Sequence, residues 1–502
     1  MEPDAQGLTA VQRWSVLAIV GAGLLLITLD NSILYTALPT LTEELGANAS
    51  QSLWIINAYP VVMCGLLLGS GTLGDRIGHR RMFLIGLAIF GAASTLAAFS
   101  PSSNVLIGAR ALLALGAATM MPATLALIRI TFADDRERNL AVAIWGSIAI
   151  LGSALGPIVG GALLEFFWWG SVFLINVPVV LVALVVTPLI VPRGDPDPSR
   201  RWDLLSSLQV MVGLVGAVLL IKELAKQPPS WPMVAASLVA SAAGFFVFVR
   251  RQRHLERPLL VFSIFRNAAF SAGVLAAAFA MFAVAGMQLV TTQRFQLVSG
   301  FTPLEAGLLV TAVALGALPT ALIGGAYLHR IGLRVLIAGG LALSAIGVVI
   351  TVLTFDGGLG PLIAGLLITG AGMGAAMSVA SSAIIGNAPA ERAGMAASVE
   401  EVSYEFGSLT AVALLGSLTT AVFTAAITVP PGTPDEAKGS LVEALVIAQG
   451  DPALVSAAHA AYDTAYVVVL IVVAVILAAG TLVTHRLLRR YGPGSESFAS
   501  QH

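Results

Sequence analysis

Apolar runs long enough to cross a bilayer recur fourteen times along the chain, separated by polar breaks that hold nearly all of the charge. They fall near residues 14–38, 53–74, 82–99, 104–128, 139–164, 170–191, 204–221, 231–249, 268–292, 303–327, 335–355, 359–385, 394–423 and 465–484. A spanning helix needs about 20 mostly apolar residues, so the pattern predicts an all-α polytopic membrane protein with 14 transmembrane helices. An even number of spans puts both termini on one side. The first run continues past any small-residue cleavage pattern and reads as a retained span rather than a signal peptide.

Charge assigns the side. The breaks after even-numbered spans, together with the two ends of the chain, hold 21 of the 26 basic residues: Arg13; Arg76, Arg80, Arg81; Arg129, Arg136, Arg138; Arg193, Arg200, Arg201; Arg250, Arg251, Arg253, Arg257, Arg266; Arg330, Arg334; Arg392; and Arg486, Arg489, Arg490. The opposite breaks hold only Lys222, Lys226, Arg294 and Lys438, and Arg110 lies inside a span. Cytoplasmic loops carry the excess of Lys and Arg. Both termini are therefore expected in the cytoplasm and the protein in the inner (plasma) membrane.

Composition narrows the function. The chain is 57% hydrophobic and 11% charged, where soluble domains carry roughly 25% charged residues. A net charge of −1 leaves no basic stripe to neutralise phosphates, which argues against a nucleic-acid partner. Cys64 is the single cysteine, sits in an apolar stretch and reads as packing. A P-loop needs Gly-x-x-x-x-Gly-Lys-Ser/Thr; the three lysines, Lys222, Lys226 and Lys438, do not follow a glycine. No cofactor is expected, and an ion gradient is left as the drive. Neither a Ser/His/Asp nor a metal-ligand constellation is visible, so the chain does not read as an enzyme.

Two loops echo each other. "GDRIGHRR" (74–81) follows the second span and "LHRIGLRV" (328–335) follows the tenth. Eight spans separate them, so a six-span repeat needs two extra spans between its halves; the stretch 204–249, flanked by "PRGDPDPSRRWD" and "RRQRHLERP", is the natural insert. The expected organisation is a six-helix bundle over 1–191, an inserted pair with linkers over 192–267, and a second six-helix bundle over 268–502. The second bundle includes a long loop at about 424–464, read either as a linker or as a helical hairpin over the outer vestibule. Repeated halves with a site between them are a common transporter plan.

Inside this frame a few charges stand where charge is costly. Asp30, in "LLLITLDNSILYTALP" (24–39), lies near the middle of the first span; aspartate there costs roughly 2.5–3.5 kcal/mol on insertion scales. Burial disfavours the charged form of a carboxylate, so such a group can hold a proton or face an organic cation, each discouraging the other. Arg110 enters the fourth span from the opposite direction, which makes an ion pair with Asp30 geometrically possible; unpaired charge is rare in a membrane. A purely structural pair is the alternative. In the thirteenth span Glu401 and Glu405 are four residues apart, on one face with Cβ atoms about 5–6 Å apart, and two ionised carboxylates at that spacing repel. Glu400 points roughly 100° away. A shallow segment that leaves these acids in solvent is the alternative here.

The chain resembles the major facilitator superfamily, in particular its fourteen-span drug:proton antiporters, and within them the Qac- and Smv-type efflux pumps for quaternary ammonium compounds and dyes. The likeness is carried by "LDNSILYTALP" (29–39), "SLWIINAYP" (52–60), "GTLGDRIGHRR" (71–81), "GSALGPIVGG" (152–161), "FLINVP" (173–178) and "SVEEVSYEFG" (398–407). It implies a major facilitator fold with two six-helix bundles, and a monomer exporting lipophilic cations against protons by alternating access. It implies a gating loop of Gly71, Asp75, Arg76, Gly78, Arg80 and Arg81, and an antiporter motif of Gly152, Gly156, Pro157, Gly160 and Gly161, whose small residues also suit close helix packing. By resemblance Arg110 helps proton transfer, although Leu113 and Ala114 stand where the motif usually has Gln and Gly. Glu401 is the second proton- or cation-responsive group, with Glu405 supporting it. Aromatic and thioether side chains can receive a lipophilic cation, and Trp54, Asn57, Tyr59, Met120, Trp145 and Tyr404 are the candidates for the substrate cavity. Asn57 replaces an acid found in several relatives, and the tenth span carries no charge over "LLVTAVALGALPTALIGGAYL" (308–328), which points to monovalent over divalent cations. Export of a neutral or anionic amphiphile, and a transporter-like sensor, are the competing readings.

Overall fold

The structure is a computed structural model that describes residues 8–192, 196–197, 202–226, 228–256, 258–389, 392–448 and 450–491. Arg193, Arg200, Arg201, Arg257 and the side chain of Arg136, all counted in the charge asymmetry, lie outside the described residues, as does most of the linker at 193–201. The first half is built from α1 (Ala10–Glu44), α2 (Ala49–Ile77), α3 (His79–Ala98), α4 (Ser103–Thr131), α5 (Asp135–Phe166), and α6 (Ser171–Leu174) running into α7 (Asn176–Ile190). The inserted pair is α8 (Leu204–Leu224) and α9 (Trp231–His254). The second half is α10 (Ala268–Leu297), α11 (Pro303–Ile331), α12 (Gly340–Thr354, preceded by a π-turn at Val335–Gly339), α13 (Leu359–Ile385), α14 (Ala393–Ala426), the short α15 (Leu441–Ala448) and α16 (Pro452–Leu487). Among the described residues fourteen helices are long and apolar enough to cross a membrane, α6 and α7 counting as one.

Local chemistry starts and stops these helices. Thr9, Asn48 and Thr302 each close a capping box with Gln12, Gln51 and Glu305, satisfying N–H groups that a helix start leaves without partners. The repeated loops share a turn: Gly78 ends α2 at φ +91° and Gly332 ends α11 at φ +85°, a region where a side chain is strained. The echo in sequence is thus an echo in backbone.

The halves repeat in packing as well. α1 lies on α5 as α10 lies on α14, α2 on α4 as α11 on α13, and α3 on α4 as α12 on α13. The halves meet through α5 with α11, α2 with α14, and α1 with α10. α8 and α9 pack on each other, and α8 touches both α2 and α14.

With fourteen spans both chain ends lie at one end of the bundle, here the terminal end; the other is the far end. At the far end Gly161 of α5 stands against Leu304 of α11, and Gly307 of α11 against the Pro157 carbonyl. Thr292 of α10 donates to the Tyr35 carbonyl of α1 at 3.0 Å, Gln296 donates to the Thr36 carbonyl at 3.0 Å, and Gly416 of α14 abuts Leu53 of α2. The far end is closed. The long loop is a folded hairpin: α15 packs on the start of α16, with Phe423, Leu441, Ala444, Ala458 and Tyr462 in a common apolar cluster. It roofs a cavity lined by Pro39, Thr42, Leu53, Gly416 and Tyr462. The segment PALVSAAHAAYDTAY does not form a separate helix; it is the first turns of α16.

Candidate functional site

Asp30 reaches its site because α1 is pressed onto α5. Ser32 donates to the Gly152 carbonyl at 3.2 Å, and Gly156 leaves room for the Ser32 side chain. Two residues back is about 200° around a helix, so Asp30 faces away from α5, toward α4 and α7. There Arg110 donates through Nη1 to Asp30 Oδ2, and Asn176 donates through Nδ2 to Asp30 Oδ1 at 3.0 Å. Asn176 Nδ2 also lies 3.2 Å from Ser94 Oγ. Arg110 Nε donates to the Ile55 carbonyl at 3.3 Å, and its guanidinium sits over the Tyr59 ring, 4.7 Å from the centroid. Leu113 and Ala114 are buried in the apolar core; the polar partners of Arg110 come from α1 and α2 instead.

The site is sealed: Asp30 is 2% exposed, and Arg110, Tyr59 and Asn176 are fully buried. It is also incompletely paired. Arg110 Nη2, Tyr59 Oη and Asn176 Oδ1 have no partner. Asn57, about 200° around α2 from Tyr59, is buried with both amide atoms unpartnered as well. Buried polar atoms without a partner are rare, and each calls for a ligand or an ordered water.

Across the interface α14 presents its acids inside a span. Glu401, Glu405 and Ser408 follow one stripe, and Ser408 Oγ lies 2.9 Å from the Tyr35 hydroxyl of α1. Glu401 and Glu405 are partly exposed, and Glu405 Oε2 is buried without a partner. Glu400 turns away, as its position on the wheel predicts. It accepts from Ser381 of α13 at 3.2 Å and from the Tyr404 hydroxyl at 3.2 Å.

The other candidates disperse. Trp54 lies on the face of α2 that meets the inserted pair, its ring covered by Lys222 of α8 at 5.0 Å. Lys222 is buried and donates to the Ser50 carbonyl at 2.6 Å, so it is a packing residue of the last turn of α8 rather than a loop charge. Met120 fills the first half's core against Gly23 and Gly86. Trp145 donates to Thr124 within the same half at 3.0 Å. In the gating loop Asp75 meets His79 at 3.3 Å and its carbonyl accepts from Asp197 N; Arg80 donates to the Val191 and Pro188 carbonyls. Gly71 is partly exposed, and Arg76 and Arg81 are exposed. Gly152, Gly156 and Gly160 bind α5 to α1, whereas Pro157 and Gly161 meet α11 of the other half. Arg294 is buried and paired with Asp463 and Asp356, so Asp463 serves an ion pair. Among the described residues no group of three metal-ligating side chains is assembled. Sequence reading passed over Asn176, Ser94, Tyr35 and Ser408. Asn176 stood inside "FLINVP", where a lone amide in an apolar run was the available signal.

The chain matches the Major Facilitator Superfamily over residues 20–298 and 274–429, and it belongs to that family. It is 36% identical to the multidrug efflux pump LfrA of Mycolicibacterium smegmatis over 96% of this chain and 97% of that one. It is 36% identical to the methyl viologen resistance protein SmvA of Salmonella typhimurium, over 89% and 93%, and 29% identical to the multidrug resistance protein Stp of Mycobacterium tuberculosis, over 88% and 83%. A bacterial homologue of the human lysosomal transporter Spinster, solved inward-facing and unoccupied, shares the fold with TM-score 0.66 at 17% identity, covering 96% of this chain and 99% of that one. The protein is a multi-pass membrane transporter rather than an enzyme, and its relatives are multidrug efflux pumps.

Proposed function

We propose that the protein exports lipophilic cations, such as quaternary ammonium compounds and cationic dyes, in exchange for protons. The carrying observation is the sealed Asp30–Arg110–Asn176 cluster in one half, with the Glu401 and Glu405 stripe of the other half across the interface. A carboxylate in such a place is neutral with a proton or answered by a positive charge, and a cation arriving in place of the proton couples the two fluxes. The terminal end is the cytoplasmic one by its excess of arginine, so the end closed in this structure is the outer one, and a state closed there is the one able to load from the cytoplasm. The proton gradient is the energy source.

The test is flux of a fluorescent organic cation in proteoliposomes after a pH jump. Glu401→Gln is expected to lower the pH-driven rate about tenfold, the effect of about 1.4 kcal/mol, while substrate exchange at equal pH persists. An unchanged pH-driven rate removes Glu401 from the coupling.

Asn57 bears on cargo charge. It is an amide, fully buried, in a helix that supplies no carboxylate to this site. Monovalent cations are therefore expected to move faster than bis-quaternary ones of matched shape, and Asn57→Asp is expected to narrow the gap. Equal rates for both in the unmodified protein remove the idea. The Salmonella relative, named for resistance to the bis-quaternary methyl viologen, makes that compound a natural probe.

A further inference from the structure

Helix register shows how close the two acidic centres come. α2 and α14 run antiparallel. Gly416 abuts Leu53, and the Cys64 thiol lies 3.8 Å from the Val402 carbonyl. Interpolating between these two contacts puts Tyr59 level with residues 408 and 409. Glu405 is then about three to four residues away along the axis, roughly 5 Å of rise. From α1 the Tyr35–Ser408 bond holds the same stretch of α14 against the first half.

Three polar atoms of these groups are buried without partners: Arg110 Nη2, Tyr59 Oη and Glu405 Oε2. One belongs to the Asp30 ion pair, one to the ring beneath that arginine, and one to the acid of the other half. The charged and titratable groups within electrostatic reach of Tyr59 are Asp30 of α1, Arg110 of α4 and Glu405 of α14; Tyr35 and Cys64 also feel the charge on Glu405. An unanswered buried polar atom costs about 1–3 kcal/mol, so three of them on groups within electrostatic reach of one another call for a bridging partner.

We infer that the Tyr59 hydroxyl is the bridge by which a proton passes between Glu405 in the second half and the Asp30–Arg110 pair in the first. The inference rests on the proton-coupled reading above and adds its route. Protonated Glu405 gives its hydrogen ion to a bridging water, that water protonates the Tyr59 oxygen, and Tyr59 releases its own hydroxyl proton toward the Asp30 carboxylate. Glu405 ends with one proton fewer, Asp30 with one more, and Tyr59 unchanged. The ring fixes the hydroxyl's place through its stacking beneath Arg110.

The test uses the full-length protein in proteoliposomes with Tyr59→Phe, which keeps the ring and its contact with Arg110. pH-driven flux of a fluorescent quaternary cation is expected to fall tenfold or more, and by several-fold more than counterflow of the same cation at equal pH falls. Glu405→Gln is expected to show the same split, and the double variant to lose no more than the worse single variant, because both remove one path. Unaltered pH-driven flux in Tyr59→Phe overturns the proposal, as do equal loss of counterflow or strictly additive losses in the double variant. If flux through the unmodified protein ignores the pH jump, the proton-coupled reading fails first, and that result is distinct from a failure of Tyr59 alone.

Discussion

Asp30→Asn is expected to reduce pH-driven export to about one hundredth or less of the unmodified rate, a loss of at least ~2.7 kcal/mol. Two causes are mixed in that variant. It removes the group that takes proton or cation, and it leaves the fully buried Arg110 facing a neutral amide. Breaking one side of a buried pair costs about 3–5 kcal/mol, so a loss of folding must be separated from a loss of coupling. The double variant Asp30→Asn/Arg110→Gln separates them by removing both charges. Its thermal stability is expected to recover most of what the single variant loses, and its transport to stay absent. Recovered transport in the double variant would make the pair a structural staple. Binding gives the sign independently. A proton on Asp30 and a cation beside it exclude each other, so cation affinity is expected to weaken as pH falls in the unmodified protein. In Asp30→Asn that dependence is expected to flatten. Flux that survives Asp30→Asn would instead favour a neutral or anionic cargo.

The features legible in sequence are those for which the bilayer leaves few choices. Helix number and approximate ends followed from the length a spanning segment needs. The Asp30–Arg110 contact followed from two opposed helices and the cost of leaving either charge alone. Which way an uncharged side chain points was not legible, because spans such as α2 and α4 are apolar on every face and offer no polar side to orient them. Hence Trp54 and Met120, read as cavity candidates, turn toward the inserted pair and the first half's core. Lys222 shows the same limit from the other side. Near a helix end it read as a loop charge, yet its stem is buried and its ammonium finds a carbonyl and an aromatic face. Asn176 was hidden for a different reason: an amide becomes a ligand of Asp30 only after α7 is placed beside α1. The glycines of "GSALGPIVGG" read as packing, but nothing in their spacing separates the three that meet α1 from Gly161, which meets the other half.

That separation yields the second large effect. A β-carbon at Gly161 would stand 2.5 Å from Leu304 Cα, and one at Gly307 would press on the Pro157 carbonyl. Both obstacles are backbone, so no side-chain rotation relieves them. Overpacking of this kind costs about 1–3 kcal/mol, and here the cost falls only on the state in which the far end is closed. Gly161→Ala and Gly307→Ala are therefore expected to move the population toward the far-end-open state by about 5- to 150-fold, the factor those energies represent. The single cysteine makes this measurable: in a Cys64→Ser background, a cysteine placed at Thr42, beside the roofed cavity, reports far-end opening by its reaction with a membrane-impermeant maleimide. Its labelling rate is expected to rise about tenfold with either glycine variant, and export to fall because the loading state is disfavoured. Gly156→Ala is the discriminating control. Its β-carbon would press on Ser32 of α1, inside the first half, so it is expected to cost stability without speeding the labelling. If Gly156→Ala and Gly161→Ala change the labelling rate alike, the α5–α11 contact is ordinary packing and the far end is not a gate that these glycines allow to close.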